Sequence, residues 1–332
     1  MPRPIYAEID IQALKHNLAR LRESVGDRTL WAVVKANAYG HGLENAVEAF
    51  ADADGFATID LCDAERARRA GWHKRVLLLE GFFDETDIEP LQDLDVETVV
   101  HSMWQIDILK RLQLREVKVH IKVNSGMNRL GFLPVEVGTI YDLLTSIPGV
   151  KVMGVVTHFA NAEPSYLGDA PASVSRQLTR MGRLAHSATA ACMANSAAIL
   201  WHPEVGGDGV RAGVALYGVS PDSHISSEEL GLIPAMTLSA KIIAVQEIAP
   251  GEAVGYGSRC LRLRGRLSTF DARRLSHVGR GRHRAARGRR LDGHARDRHH
   301  RHPVRRPRQP RGALGQAPAR QPSGGRCRHD RL

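Results

Sequence analysis

Hydrophobic residues follow two alternating rhythms over the first two-thirds of the chain. Short runs rich in Val, Ile, Leu and aromatic residues predict strands over Thr29–Ala36, Gly55–Asp60, Arg75–Gly81, Val96–His101, Val117–Val123, Val150–Phe159, Ala191–Ser196 and Gly209–Gly218. Between them, apolar positions step by three and four, as Ile11, Leu14, Leu18 and Leu21 do. These stretches predict helices over Ile11–Glu23, Leu43–Ala53, Leu61–Ala70, Met103–Arg111, Pro134–Ser146 and Ser173–Thr189. Strand–helix alternation implies an α/β fold with a parallel sheet. About eight such units fit a (β/α)8 TIM-type barrel over residues 1–227, with a doubly wound open sheet as the alternative. The rhythm changes near residue 228. Ala235–Gln246 alternates like one long strand, Pro250–Gly251 makes a turn, and Ala253–Tyr256 starts another strand. Residues 228–260 thus predict the opening of a mainly-β C-terminal domain that is truncated or out of frame beyond that point. Residues 261–332 show no apolar periodicity.

Charge divides the chain at the same place. Residues 261–332 carry 22 Arg, 4 Asp and neither Lys nor Glu, a net of +18. The remaining 24 Lys and Arg stand against 32 Asp and Glu, a net of −8, which together give the chain's +10. Two readings of the tail follow. It is a disordered basic extension, or it is a GC-rich gene read out of frame, which enriches Arg, Ala, Gly, Pro and His. The absence of Lys and the interruption of a domain only just begun favour the frameshift. With one aromatic, Phe270, and no recognisable module, the tail offers nucleic acid only nonspecific charge. No run approaches the roughly 20 apolar residues of a membrane helix. The N-terminus lacks the apolar core of a signal peptide. A cytoplasmic protein with no membrane partner is expected. The four cysteines do not have metal-ligand spacing.

The chemistry begins at Val33-Val34-Lys35-Ala36-Asn37-Ala38-Tyr39-Gly40-His41-Gly42. A lysine at the end of an apolar strand is either a solvated terminus or a partly desolvated amine. The latter has a lowered pKa and can form a Schiff base with an aldehyde cofactor. Other distinctive segments follow in order. They are Ile121-Lys122-Val123-Asn124-Ser125-Gly126-Met127-Asn128-Arg129-Leu130-Gly131, Gly154-Val155-Val156-Thr157-His158-Phe159-Ala160 and Met193-Ala194-Asn195-Ser196-Ala197. Val210-Arg211-Ala212-Gly213-Val214-Ala215-Leu216-Tyr217-Gly218 and Val254-Gly255-Tyr256-Gly257-Ser258 complete the series. Lys35, Arg129, His158, Asn195 and Arg211 all fall at or just after predicted strand ends, where barrel enzymes gather their catalytic groups.

In these segments, over about residues 4–259, the chain resembles the bacterial alanine racemases. The resemblance implies an isomerase that interconverts L- and D-alanine, supplying D-alanine for peptidoglycan or catabolising it. It implies pyridoxal 5'-phosphate on Lys35, with Tyr39, Asn195, Ser196, Gly213 and Val214 in the cofactor-binding motifs. Arg129 would hold the substrate carboxylate. Arg211 would face the cofactor ring nitrogen, and His158 would stand behind Arg211 and Tyr256. Lys122 matches a lysine that is often carbamylated. Asn124 departs from the Asp common in that motif, so a plain buried ion pair is the alternative for Lys122. Lys35 would serve as base on the D-alanine face and Tyr256 on the L-alanine face. Tyr256 would come from the partner subunit of a head-to-tail homodimer. The family's later glycine-tyrosine motif, Met-Asp pair and final tyrosine have no match after Cys260. Two further readings therefore stand beside a racemase: a pyridoxal-phosphate barrel acting on another amino acid, and a catalytically dead barrel that still binds the cofactor.

Overall fold

Eight parallel strands close on themselves. They are β2 (Thr29–Val33), β3 (Gly55–Thr58), β4 (Arg75–Leu78), β5 (Glu97–Val100), β6 (Val117–Lys122), β7 (Val150–Val156), β8 (Ala191–Ala194) and β9 (Gly209–Ala212). Their order around the barrel is their order in sequence, and β9 pairs with β2 to complete it. This is the barrel that the alternation predicted, and it displaces the open-sheet alternative. The computed structural model describes residues 4–166, 172–182, 184, 190–203, 205–247, 249, 252–254, 259–260 and 267–268. All of this architecture but for residues beyond 281 belongs to one unit, residues 1–281. The expected disordered tail over 261–332 lies outside the described residues apart from 267–268, and Tyr256 lies outside them altogether.

Seven of the eight predicted strands begin on the residue where the observed strand begins and the other, Val96 against Glu97, within one of it, but every observed strand ends before its apolar run does. The runs continue into the barrel mouth, where the chain turns over the top while still burying side chains. Outside the barrel, the helix Ile11–Val25 starts at Asp10. The Asp10 carboxylate accepts from the Gln12 and Ala13 N–H groups at 2.8 and 3.0 Å. Its buried face, Ala13, Leu14, Asn17, Leu18, Leu21 and Val25, follows the three-four spacing. Although it precedes the first barrel strand, this helix packs against Leu43–Ala49, Ser196–Trp201 and the 3-10 turn Val214–Tyr217. It thereby fills the outer position that a helix after β9 would take. Asn17 fastens it there: its amide donates to the Leu216 and Ile233 carbonyls and accepts from the Ile233 N–H.

Inside the barrel, Trp31, Val33, Ala57, Leu77, Val99, Val156 and Cys192 form a separate apolar plug. Gly55 makes room for it, since a Cβ there would lie 2.4 Å from the Trp31 ring. Below the plug, Arg75 clamps Glu97 through Nε at 2.5 Å and Nη2 at 2.9 Å, and His120 Nε2 bonds Glu97 at 2.6 Å. The Arg75 guanidinium lies 4.6 Å from the Trp31 ring centre. Burial alone would raise the Glu97 carboxyl, but the hydrogen bonds from His120 and Arg75 hold it down at about 2.

The first strand, β1 (Ile5–Ile9), is not a barrel strand. It pairs antiparallel with β10 (Met236–Ala240), joining the N-terminus to the chain beyond the barrel. The expected single strand Ala235–Gln246 is two, β10 and β11 (Val245–Gln246), with residues 241–244 in neither. The latter pairs with β14 (Leu267–Ser268), and β12 (Ala253–Val254) pairs with β13 (Arg259–Cys260). The expected helix Ser173–Thr189 is helical over Val174–Met181, with Ser173 as its cap. Among the described residues no helix is long and apolar enough to cross a membrane.

The Glu97 clamp has a pH signature. Its folded pKa of about 2 lies below the ordinary 4.5, so its stabilisation is complete above pH 4.5 and is lost as pH falls toward 2. Chemical denaturation from pH 5 to pH 2 should show wild type losing its advantage over Glu97→Gln. A constant difference between the two across that range would contradict the clamp.

Candidate active site

A cleft of about 200 Å3 opens where the barrel strands end. Lys35, Tyr39, Lys122, Arg129, His158, Asn195, Ser196, Arg211, Gly213 and Val214 all line it, so ten of the eleven residues singled out from sequence meet in one place. Tyr256 is the eleventh and lies outside the described residues.

Lys35 follows the last inward positions of β2, Trp31 and Val33, and the chain then does something rare. Ala36, Asn37, Ala38 and Tyr39 have φ of 53, 54, 54 and 53°, a left-handed turn built without glycine. Each L-residue in that region costs roughly 1–2 kcal/mol, with Asn the most tolerant of these types. The turn ends β2 at Val33, three residues before its apolar run ends. It carries Tyr39 back toward β9, where its ring meets Tyr217 at 4.8 Å between centroids.

A cluster of donors lines the same cleft as Lys35. Ser196 Oγ accepts from the Gly213 N–H at 2.8 Å and the Ala215 N–H at 3.4 Å, leaving its own O–H to donate. Asn195 caps the helix Ser196–Trp201 by accepting from the Ala198 N–H at 3.0 Å. Ser196 and Ala197 lie in the first turn of that helix, where N–H groups have no intrahelical acceptor. A Cβ on Gly213 would sit 3.1 Å from Tyr39 Oη and 3.8 Å from Ser196 Oγ. The hollow between these hydroxyls is therefore open only because residue 213 has no side chain. Converging O–H and N–H donors at the end of β9 suit a phosphate group.

Between Lys35 and the barrel plug lies a group of bases with little anion to balance it. Arg211 is 3% exposed. Its guanidinium donates to the carbonyls of Cys192 (2.6 Å), Met193 (3.2 Å) and Thr157, to Cys192 Sγ (3.0 Å) and to His158 Nδ1 (3.3 Å). None of these partners is a carboxylate. His158 Nδ1 thus accepts, and its proton resides on Nε2. Burial and then the charges of Arg211, Lys122, Arg129 and Lys35 push the His158 pKa well below its usual value. Burial, with Arg211 and Arg129 next, brings the Lys122 amine to about 7. Among the described residues no carboxylate comes within salt-bridge distance of Lys122, and Glu80 in the same cleft attracts its charge only weakly. Burial raises the Tyr39 phenol, keeping it a donor.

Arg129 stands exposed on a loop that Asn124 organises. The Asn124 Oδ1 accepts from the Gly126 and Asn128 N–H groups at 3.1 and 3.0 Å, and its Nδ2 donates to Asn128 Oδ1 at 3.1 Å. The amide thus does from one side chain what an aspartate does with its carboxylate, and adds a donor. Three participants escaped the sequence reading. Glu80 and Glu163 line the cleft. Gln177, fully buried, accepts from the Ala160 N–H and donates to the His158 carbonyl and to Ser125 Oγ. Ser125 continues to Thr157, whose hydroxyl reaches the Val123 carbonyl. The signal for Gln177 was present: it falls between Val174 and Met181 on the buried face of its helix.

Comparisons with known proteins agree with this geometry. Residues 9–221 match the family model for the alanine racemase N-terminal domain. The chain belongs to the alanine racemase family. The alanine racemase of Janthinobacterium sp. (strain Marseille) is 47% identical over 261 residues, which is 78% of this chain and 72% of that one. The catabolic alanine racemase of Klebsiella aerogenes is 44% identical over 260 residues, covering 77% and 71%. Among solved structures, the biosynthetic alanine racemase of Pseudomonas aeruginosa superposes with a TM-score of 0.72 at 38% identity, covering 77% of this chain and 72% of that one. The chain is accordingly an isomerase of this kind, and the family uses pyridoxal phosphate. Within the family frame, Asn124 stands where sequence reading expected an aspartate, and its loop contacts show how the substitution is accommodated.

Those contacts set an expectation. In Asn124→Ala, amide exchange at Gly126 and Asn128 should quicken roughly tenfold, the worth of about 1.4 kcal/mol of lost hydrogen bonding. Asn124→Asp should retain wild-type rates. Unchanged protection in the alanine variant would remove Asn124 from the support of Arg129.

Proposed function

We propose that this chain binds pyridoxal 5'-phosphate through Lys35 and interconverts L- and D-alanine. The observation that carries the reading is a strand-end amine facing a glycine-cleared donor hollow, with the buried, carboxylate-free Arg211 in the same cleft. Tyr39, Ser196 and the backbone of Gly213 and Val214 would hold the phosphate, with Asn195 securing the helix beside it. When bound, the cofactor supplies an electron-accepting ring that lets the α-carbon of an amino acid give up its proton. Arg211 would face the ring nitrogen of the bound group, and as a guanidinium it would donate there and could not take a proton. His158 keeps Arg211 in line by accepting from it. Arg129 holds the substrate carboxylate.

Racemisation needs a base on each face of the α-carbon. The Lys35 amine takes the proton on the D-alanine face, and Tyr256, by resemblance, serves the L-alanine face. In this reading residues 1–227 are the cofactor-binding barrel, 228–260 begin the β domain, and 261–332 are an out-of-frame tail. The protein is cytoplasmic, and its active unit is the homodimer in which Tyr256 crosses to the partner. Lys122, near neutrality and facing Arg129 and Arg211, is suited to attack carbon dioxide. The amine nitrogen bonds the carbon and one proton leaves to solvent, giving a carbamate that balances the two guanidinium groups. With 13C-bicarbonate, wild type should show a carbamate resonance that Lys122→Ala lacks; a spectrum without it leaves Lys122 an uncarbamylated amine.

Purified protein should carry the visible band of lysine-bound cofactor, and Lys35→Ala should erase it. Followed in heavy water from D-alanine, the chain as written should place deuterium at the α-carbon faster than it forms L-alanine. The reason is that Lys35 has the barrel behind it while the segment after Cys260 lacks the family's later motifs. A frame-restored chain should bring the two rates together. Cofactor binding with no α-exchange at all would favour the dead-barrel reading.

A further inference from the structure

Four consecutive left-handed residues need something to hold them, and the turn's own backbone supplies part of it. Ala38 N–H donates to Val34 O at 2.8 Å, Gly40 N–H to the Ala36 and Asn37 carbonyls at 3.1 Å, and Gly42 N–H to Asn37 O at 3.0 Å. The Asn37 Oδ1 is held by the Leu43 N–H and the Arg66 guanidinium. The remaining brace is a side chain that sequence reading passed over. His41 is buried, and its Nδ1 lies 3.2 Å from Ala38 O and 3.1 Å from Tyr39 O. Carbonyl oxygens only accept, so Nδ1 carries the proton and grips two successive carbonyls of the left-handed run. Its other nitrogen, Nε2, is buried with no partner. The ring packs on Tyr217 at 4.7 Å, and Tyr217 in turn packs on Tyr39 and donates to the Val33 carbonyl at 2.8 Å. A buried imidazole with half its polar capacity unused is a cost unless the other half is needed.

We propose that His41 is a positioning residue whose Nδ1–H holds the turn 36–39 in its left-handed form, setting Tyr39 Oη at the donor hollow beside Gly213 and Lys35 at the cleft. The inference rests on the cofactor reading above only for what the hollow holds; the bracing itself belongs to the empty protein. Loosening the turn lets Ala36, Ala38 and Tyr39 relax toward ordinary backbone angles, which swings the phenol away from Ser196 and Gly213. The effect falls on cofactor affinity more than on the chemistry that follows.

The design separates a donor from a shape. His41→Asn puts an amide N–H at the depth of Nδ1, whereas His41→Gln puts it at the depth of Nε2. Ala36 is exposed, and Ala36→Gly relieves strain at a φ of 53° without opening a cavity. Using the full chain, pyridoxal phosphate is titrated by its visible band, and amide exchange at Gly40 and Gly42 is measured without cofactor. His41→Gln should bind at least tenfold more weakly and exchange both amides faster, and His41→Asn should stay within about threefold of wild type. Adding Ala36→Gly to His41→Gln should recover most of the affinity. The proposal is overturned if His41→Gln matches wild type, if His41→Asn falls as far as His41→Gln at similar Tm, or if Ala36→Gly recovers nothing. Should His41→Gln not fold, His41→Asn decides alone: retention of affinity supports the brace and loss overturns it. If wild type binds no cofactor while the exchange rates behave as stated, the cofactor reading fails and the brace stands.

Discussion

Barrel closure sets the distance between the two halves of the site. Pairing of β2 with β9 puts Trp31 against Arg211 and Ala32 against Ala212. Lys35, a few residues past that ladder, therefore opens on the same patch of rim as Gly213 and Val214, although about 180 residues separate them. Two-residue periodicity then decides which side chains look inward. On β6 it is His120 and Lys122, on β2 Trp31 and Val33, on β9 Arg211. Parallel strands share a direction, so everything beyond an inward strand end gathers at one mouth. A one-residue slip in the β2–β9 register would turn Arg211 outward and leave the remaining bases without their hydrogen-bonded centre.

Charge is distributed along the barrel axis with the same logic. Near its lower end Arg75 and His120 are answered by Glu97, and the trio is hydrogen-bonded and closed over by Trp31. At the mouth, the Arg211 guanidinium is answered by carbonyls, a sulfur and a neutral histidine, while Lys122, Arg129 and Lys35 share the cleft with Glu80 and Glu163. Basic groups outnumber carboxylates there, and the cost appears in the groups themselves. Lys122 sits near neutrality and His158 is held uncharged. An acidic ligand with a phosphate and a substrate carboxylate would supply what the barrel withholds.

The sequence was most legible where structure is periodic. Strand starts and the helix Met103–Arg111 matched because inward apolar positions repeat over several residues. At the end of β2 the prediction overran because Val33, Val34 and Ala36 continue the apolar pattern around Lys35 into a turn whose handedness no glycine announces. The pairing of β1 with β10 is a contact across more than 200 residues, and Ile5–Ile9 is too short and mixed to declare itself alone. The interruption at 241–244 was hidden because Ile242 and Ile243 keep an apolar look while standing exposed, at 61% and 75%. Site residues were legible through resemblance more than through pattern. Gln177, which ties the loops after β6 and β7 to its own helix, carried a signal only in its place on the apolar face between Val174 and Met181.

Strain and one of the buried unpartnered polar atoms lie in the same place as the chemistry. The left-handed turn, the unpartnered Nε2 of His41 and the carboxylate-free Arg211 all lie within the mouth or directly beneath it. The supports that offset them come from neighbouring well-packed elements. Tyr217 is pinned to the end of β2, Asn17 pins the turn that carries Tyr217 to the first helix, and that helix is capped by Asp10. Strain of this kind persists only when the surroundings over-determine it. The order of dependence therefore runs from an outer helix, through one buried asparagine and one buried tyrosine, to the backbone that aims Tyr39 and Lys35. A substitution anywhere along that line acts on the site without touching it, and its effect grows with each support removed because the turn has no local preference to fall back on.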